Sequence, residues 1–153
     1  MNKLLFFLCL IAVSCSYNSV ENQYHVFDKK TWNSDSVILF SINSKDSIER
    51  HKVTLNIRHT TDYKFQNLYL FTHFQGASDT VELMISEKNG KWKGRGIGDI
   101  REISFVLKKD TYFKKKGDYN LSVEQAMRYG NENKISMLKG LVAVGLSVEK
   151  INE

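Results

Sequence analysis

The chain has 153 residues, a formal net charge of +5, no proline and two cysteines, Cys9 and Cys15. Its length suits a single domain. The charge is too slight for the basic footprint of a nucleic-acid binder, and so few cysteines cannot build a disulfide framework.

The N-terminal stretch reads as a targeting segment. Lys3 supplies a short positive start, and Leu4 to Val13 is an apolar run of about ten residues, the length of a secretory signal and too short to span a bilayer. Ala12-Val13-Ser14-Cys15 closes it. A small residue directly before a cysteine at the end of such a run is the pattern of a bacterial lipoprotein signal, here residues 1–14, with Ala12 where leucine is more usual. A thiol is nucleophilic enough to be alkylated by a diacylglyceryl donor, so Cys15 is the expected lipid-attachment residue and the new N-terminus. Several acyl chains hold a protein firmly where one alone is marginal. Cys9 is discarded with the signal, and loss of Lys3 lowers the charge to +4, which suits anionic lipid or lipopolysaccharide phosphates. Residues 15–25 are polar and read as a tether, leaving residues 26–153 as one domain. The residues after Cys15 lack the acidic stretch that sends some lipoproteins to the cell surface, which points to an outer-membrane anchor and a periplasm-facing domain.

From Phe27 onward, period-two patterns recur between turn signals. Ser36 to Ile42 is a nearly continuous apolar run. Val53, Leu55 and Ile57 alternate with polar residues. Leu68 to Phe74 has large residues on both alternating sets, as in a strand covered on both faces. Val81, Leu83 and Ile85 follow, then Ile103 to Leu107, Tyr119 to Val123 and Leu141 to Val148. Helical periodicity is confined to possible single turns at Asp46–Glu49 and Asn133–Leu138. With no proline, glycine, asparagine and aspartate must make the turns. The expected fold is all-β: an antiparallel β-sandwich of jelly-roll type with about eight strands.

The stretch NGKWKGRGIGDI, Asn89 to Ile100, invites a phosphate-loop reading. Gly94, Gly96 and Gly98 alternate strictly, however, and a strand rather than a helix follows, so the dinucleotide-binding spacing and the helix N-terminus are both missing. An extended, twisted strand is expected instead, with Trp92 and the glycines on one face, where a ring or a crossing strand lies close to backbone.

Catalytic chemistry finds little footing. His25, His51, His59 and His73 have no metal-ligand spacing, and no known nucleophile motif occurs. Asp62 and Asp99 could pair as acid and base, but isolated carboxylates more often cap turns or bind arginine. No catalytic residue, metal or cofactor is therefore expected. Trp32, Trp92 and the tyrosines could stack on sugars; core anchors with a satisfied polar tip are the plainer reading. Lys108-Lys109 and Lys114-Lys115-Lys116 form the densest basic patch, fit either for anionic headgroups or for a solvated hairpin loop.

Several local patterns fall in a characteristic order: Phe27…Trp32; Arg58-His59-Thr60-Thr61-Asp62-Tyr63; Asn67-Leu68-Tyr69-Leu70-Phe71; Gly90-Lys91-Trp92 through Gly98-Asp99-Ile100; Gly117-Asp118-Tyr119; Gln125-Ala126-Met127-Arg128; and Gly145 to Lys150. Together with the lipoprotein signal, the chain resembles the gliding-motility lipoprotein family GldH of Bacteroidota over nearly the whole domain. Lys64 stands where that family often has proline. The resemblance implies a non-enzymatic envelope lipoprotein, anchored to the membrane through Cys15, with protein partners in the gliding-motility and type IX secretion apparatus and no nucleic-acid partner. A glycan-binding outer-membrane lipoprotein of jelly-roll type is the alternative. Arg58, Asp62, Trp92, Arg95, Asp99 and Arg128 are the candidate partner-facing or fold-locking residues.

Overall fold

The computed structural model describes residues 20–45 and 48–151. The signal segment, Cys15 and the tether up to residue 19 lie outside the described residues, as do Asp46 and Ser47 of the turn expected at Asp46–Glu49. In chain order the strands are β1 (Val20–Val26), β2 (Thr31–Asn33), β3 (Ile38–Ser44), β4 (Arg50–Thr60), β5 (Asn67–Phe74), β6 (Ala77–Met84), β7 (Ile100–Tyr112), β8 (Gly117–Gln125), β9 (Met137–Lys139) and β10 (Leu141–Lys150). One 3-10 turn, Asp28–Lys30, joins β1 to β2.

The long strands form two antiparallel sheets, ordered β1-β10-β4-β7 and β3-β8-β5-β6, and β2 pairs with β9 as a short separate ribbon. Numbering only the eight long strands, these orders read 1-8-3-6 and 2-7-4-5, the double Greek key of a jelly roll. The expected fold is thus the observed one, with the small ribbon added.

Alternation builds the sandwich. In β3, Ile38, Phe40 and Ile42 point inward while Leu39, Ser41 and Asn43 face out. In the first sheet Val53, Leu55 and Ile57 of β4 sit opposite Val148, Leu146 and Val144 of β10. These residues close on Phe40, Ile42, Leu68, Leu70, Leu121 and Val123 of the second sheet in one buried cluster. Each fully buried aliphatic side chain contributes about 1.5–3 kcal/mol of transfer free energy. Trp32 is wholly buried, stacked on Phe27 with ring centroids 4.8 Å apart, and its Nε1 donates to the Ser36 carbonyl at 3.2 Å. It is a core anchor.

Four expectations are corrected. The polar segment from Val20 to His25 is not tether: it is edge strand β1, paired along its length with β10. An edge strand needs few buried side chains, so its polarity concealed it. Asn133–Leu138 does not form a helical turn, because Met137–Lys139 is taken up by pairing with β2. β5 is covered on one face only; Tyr69, Phe71 and His73 all lie exposed on the other. Finally, the glycine-rich stretch is a loop rather than a strand, because Gly90, Gly94 and Gly98 are left-handed.

Candidate functional site

The segment from Glu87 to Asp99 links β6 to β7 and crosses the free edge of β7. It begins as a tight turn: Gly90 N–H donates to the Glu87 carbonyl at 2.9 Å, Glu87 N–H to the Lys91 carbonyl at 2.8 Å, and Asn89 Oδ1 accepts from Lys91 N–H at 3.0 Å. Gly90, Gly94 and Gly98 take φ values of +84°, +81° and +63°. Repeated left-handed residues cannot propagate a strand, so the alternation seen in the sequence does not become a face. The close approach to backbone is nonetheless present. A Cβ on Gly94 would overlap the Glu102 carbonyl, and one on Gly96 the Ile100 carbonyl. Arg95 and Glu102 exchange both backbone hydrogen bonds, at 3.0 and 2.7 Å, so Arg95 acts as a one-residue extra strand on β7. The Arg101 guanidinium donates to the carbonyls of Gly98 and Ile100, each at 2.8 Å. The loop so fixed holds Ile97 93% exposed between two glycines.

Arg58 lies beside this loop, on the outer face of β4. Its Nε donates to Glu102 Oε2 of β7, and its guanidinium rests over the Tyr24 ring, 4.1 Å from the centroid. Tyr24 Oη donates to the same carboxylate oxygen at 3.3 Å. Burial, and then the Glu102 charge, push the Tyr24 hydroxyl pKa up. The hydrogen bond to Glu102 likewise holds Arg58 charged. The Tyr24 ring lies where a Cβ on its cross-strand partner Gly145 would be, so the ring folds down over β10. A ladder of side chains crosses all four strands next to it. Ser104 Oγ donates to Asn56 Oδ1 at 2.6 Å, Asn56 Nδ2 to Ser147 Oγ at 2.7 Å, and Ser147 Oγ to Asn22 Oδ1 at 2.5 Å. Between loop and sheet is a recess walled by Arg58, Arg95, Ile97, Ile100, Ser104 and Val142.

Beneath the loop, on the inward side of β4, His59 is fully buried. Its Nδ1 sits 2.9 Å from the Thr60 carbonyl and so carries the proton, while Nε2 has no hydrogen-bond partner among the described residues. The ring packs 4.8 Å from Trp92 and 6.0 Å from Tyr63. Burial drives the His59 pKa down; the Thr60 carbonyl opposes this, and the Arg101 charge adds to it.

The six sequence candidates therefore divide. Arg58 and Arg95 meet at the recess. Trp92 is half-buried against His59 and locks the loop to the core. Asp99 sits at the loop's end; its carboxylate pairs with Lys30 at 3.3 Å and its carbonyl accepts from Thr61 N–H at 2.8 Å. That bond places the turn carrying exposed Asp62 next to Asp99, but Asp99 is engaged by lysine and neither carboxylate is buried. Arg128 is exposed in the segment after β8, between buried Met127 and exposed Tyr129, whose ring lies 5.9 Å from Phe65, and it does not line the recess. Sequence reasoning missed Tyr24, Glu102 and Ile97. The last had a legible signal: a lone isoleucine between two glycines has little chance of burial.

The profile of the family described as GldH lipoprotein matches residues 19–148. The chain is 34% identical over 150 residues to a "Gliding motility lipoprotein GldH homolog" of Christiangramia forsetii, covering 94% of this chain and 91% of that protein. It is 29% identical over 153 residues to "Gliding motility lipoprotein GldH" of Flavobacterium johnsoniae, covering 96% and 94%. Among solved structures, a CBM35 module from Cellvibrio japonicus Abf62 aligns over 79% of this chain and 72% of its own, with 14% identity and a TM-score of 0.39. Dimeric latent PorU from Porphyromonas gingivalis aligns over 87% of this chain and 13% of its own, with 10% identity and a TM-score of 0.37.

Proposed function

Since the chain belongs to the GldH lipoprotein family, we propose that it is a lipid-anchored envelope protein of the gliding-motility system, acylated at Cys15, whose jelly roll docks a protein component of the motility or associated type IX secretion machinery. The anchor is assigned to the outer membrane, with the domain facing the periplasm. The observation that carries the docking reading is Ile97. A large apolar side chain held 93% exposed by a loop that hydrogen bonds and glycine contacts keep rigid, beside the Arg58 and Arg95 guanidiniums, has the apolar-plus-arginine make-up of an interface hot spot. Anchoring confines the domain near the membrane, so even a weak contact gains from effective concentration.

The test is a photocrosslinking residue at position 97 in living cells, with position 39, on the outer face of the opposite sheet, as control. Crosslinks from 97 to motility or secretion components are expected, and Ile97→Asp should abolish motility without lowering stability. Equal crosslinking from both positions, or recovery of glycan alone, would sink the reading. Separately, Cys15→Ala should move the protein from the membrane to the soluble fraction; unchanged fractionation refutes the anchor.

A second reading has one observation in its favour. Tyr69, Phe71 and His73 stand exposed at alternate positions along β5, with Ser78 and Thr80 of β6 and Ser122 and Glu124 of β8 beside them. Such a row of rings among hydroxyls suits a sugar chain. Affinity electrophoresis of the wild type and Phe71→Ala in envelope polysaccharide tests it, and identical unretarded mobility rejects it.

A further inference from the structure

We infer that the end of the sandwich carrying the β7–β8 loop rests on the anionic phospholipid headgroups of the leaflet that holds the anchor, with Lys114, Lys115 and Lys116 as its contact. This rests on acylation of Cys15. Five residue steps separate Cys15 from Val20, so the chain between them spans at most about 18 Å. Val20 is paired with Glu149, and Glu149 with Lys52. Lys52 in turn lies between the β4 residues registered on Lys108 and Thr111. The start of β1 is therefore level with the end of β7. On the second sheet, Ser44 pairs with Gly117, which brings the β3–β4 connection to the same end. Phe113 plugs this end, packed on His51, Phe74 and Tyr119. Topology thus delivers the tether and the lysine loop to one end of the molecule, a coincidence that the sequence, with about ninety residues between them, does not display.

The charges at this end are sorted. Glu49 is bound by Lys150, Asp110 by Arg50 and Glu149 by Lys52. Asp118 accepts from Asn43 at 2.7 Å, and Glu21 on β1 accepts from Gln23 at 2.8 Å. Among the described residues, the carboxylates at this end are thus either paired with a cation or, for Asp118 and Glu21, hydrogen-bonded to a neutral amide, so the unpaired lysines outnumber the unpaired acids there. Lys45, Lys108, Lys109 and Lys114 to Lys116 are exposed and have no ion-pair partner among the described residues. Ile48 and Tyr112 stand 80% and 50% exposed beside them. Unneutralised lysines next to an aromatic and an aliphatic side chain match the headgroup zone, whose attraction fades within about 8 Å at physiological ionic strength. A tether that can extend to no more than about 18 Å lets the lysines settle into that range and limits how far they can leave it. Lys88, Lys91 and Lys93 lie at the opposite end, beyond a β4 of eleven residues, or about 35 Å.

The acylated full-length protein should be reconstituted into vesicles of phosphatidylcholine alone and of phosphatidylcholine with phosphatidylglycerol, and its lysines footprinted by amine acylation read by mass spectrometry. Labelling of Lys114 to Lys116 should fall several-fold in the anionic vesicles and recover in high salt, while that of Lys88, Lys91 and Lys93 stays constant. Equal labelling of both groups in both vesicles, or protection of the far group instead, overturns the inference. Flotation of wild type and Cys15→Ala on the neutral vesicles reads the anchor independently. If both float alike, the anchor is wrong; if only the wild type floats and its lysines stay open, the anchor stands and the headgroup contact falls.

Discussion

Gly94 and Gly96 make different demands on the chain. Gly94 needs both a left-handed φ and clearance from the Glu102 carbonyl, whereas Gly96 needs only clearance from the Ile100 carbonyl. Gly90 has a left-handed φ but open space around it. Gly96→Ala should therefore cost more than Gly90→Ala: about 2–3 kcal/mol for a backbone overlap that forces the loop off β7, against about 1 kcal/mol for strain alone. Urea denaturation of the two variants checks the order. His59 gives a pH prediction. Its folded pKa is held below the unfolded value of 6.5, so below about pH 6.5 the unfolded chain binds a proton that the folded one refuses. Stability should fall as pH drops from there towards the folded pKa and level off below it. Thermal melts across that range should show the decline in wild type and lose it in His59→Gln. Arg58 is a contrasting case. Its ion pair with Glu102 is more than a third exposed on both sides, so after discounting for solvent screening Arg58→Ala should change stability by less than about 1 kcal/mol. A large loss of crosslinking from position 97 in that variant would then report on docking rather than on unfolding.

Among the strands, β7 is a long edge strand of its sheet. It is the longest, and within its sheet it pairs only with β4. Its register slips twice, between the pairs Val53–Lys108 and Thr54–Val106 and again towards His51–Thr111. Bulges and edge lysines are the usual protection against one copy adding to the edge of another, and the Arg95 bridge covers a further position. Because Glu102 gives its backbone groups to Arg95, the antiparallel alternation sends the amides of Ile103 and Phe105 to β4 and leaves those of Ser104 and Val106 facing outward. Hydrogen exchange by NMR should find the first two slow and the last two fast; uniform protection would mean that this edge is covered. β3 is legible because burial of one face only selects its apolar residues, and β4 because its inward set is apolar and its outward set polar, although Thr54 and Asn56 are themselves buried. β1 escaped notice because most of its described side chains are exposed. β9 escaped because three residues carry no period. In the site, arginines and glycines were legible as residue types, but their partners were not. The contact between Arg58 and Tyr24 joins strands that are adjacent only through β10, the last to be made.

Taken as a whole, the molecule has two unlike ends. One holds the start of β1, the Phe113 plug and the lysine loop; the other holds the glycine loop, the Asp62 turn and the Lys30–Asp99 pair. The strands run between them, and the buried cluster fills the space within. Leu55→Ala, at the centre of that cluster, should cost about 2–5 kcal/mol and should disturb both ends together, seen as a single cooperative transition by probes placed at either one. Two separate transitions would mean that the ends melt independently.

The pairing of β1 with β10 also bears on how the protein carries a load. On the anchoring and docking proposed above, the anchor would pull on residue 20, at one end of the strand axis, and a partner gripping Ile97 would pull at the other. Tension along that line drags β1 lengthwise past β10, so the seven residue pairs between them are stressed together, in shear, instead of opening one after another like a zip. The Tyr24 ring seated on Gly145 acts as a stop against that sliding. Stretched from residue 20 to position 97 in a force spectrometer, the domain should resist far more than when β1 is peeled sideways from residues 20 and 150, and Tyr24→Ala should weaken the first geometry more than the second.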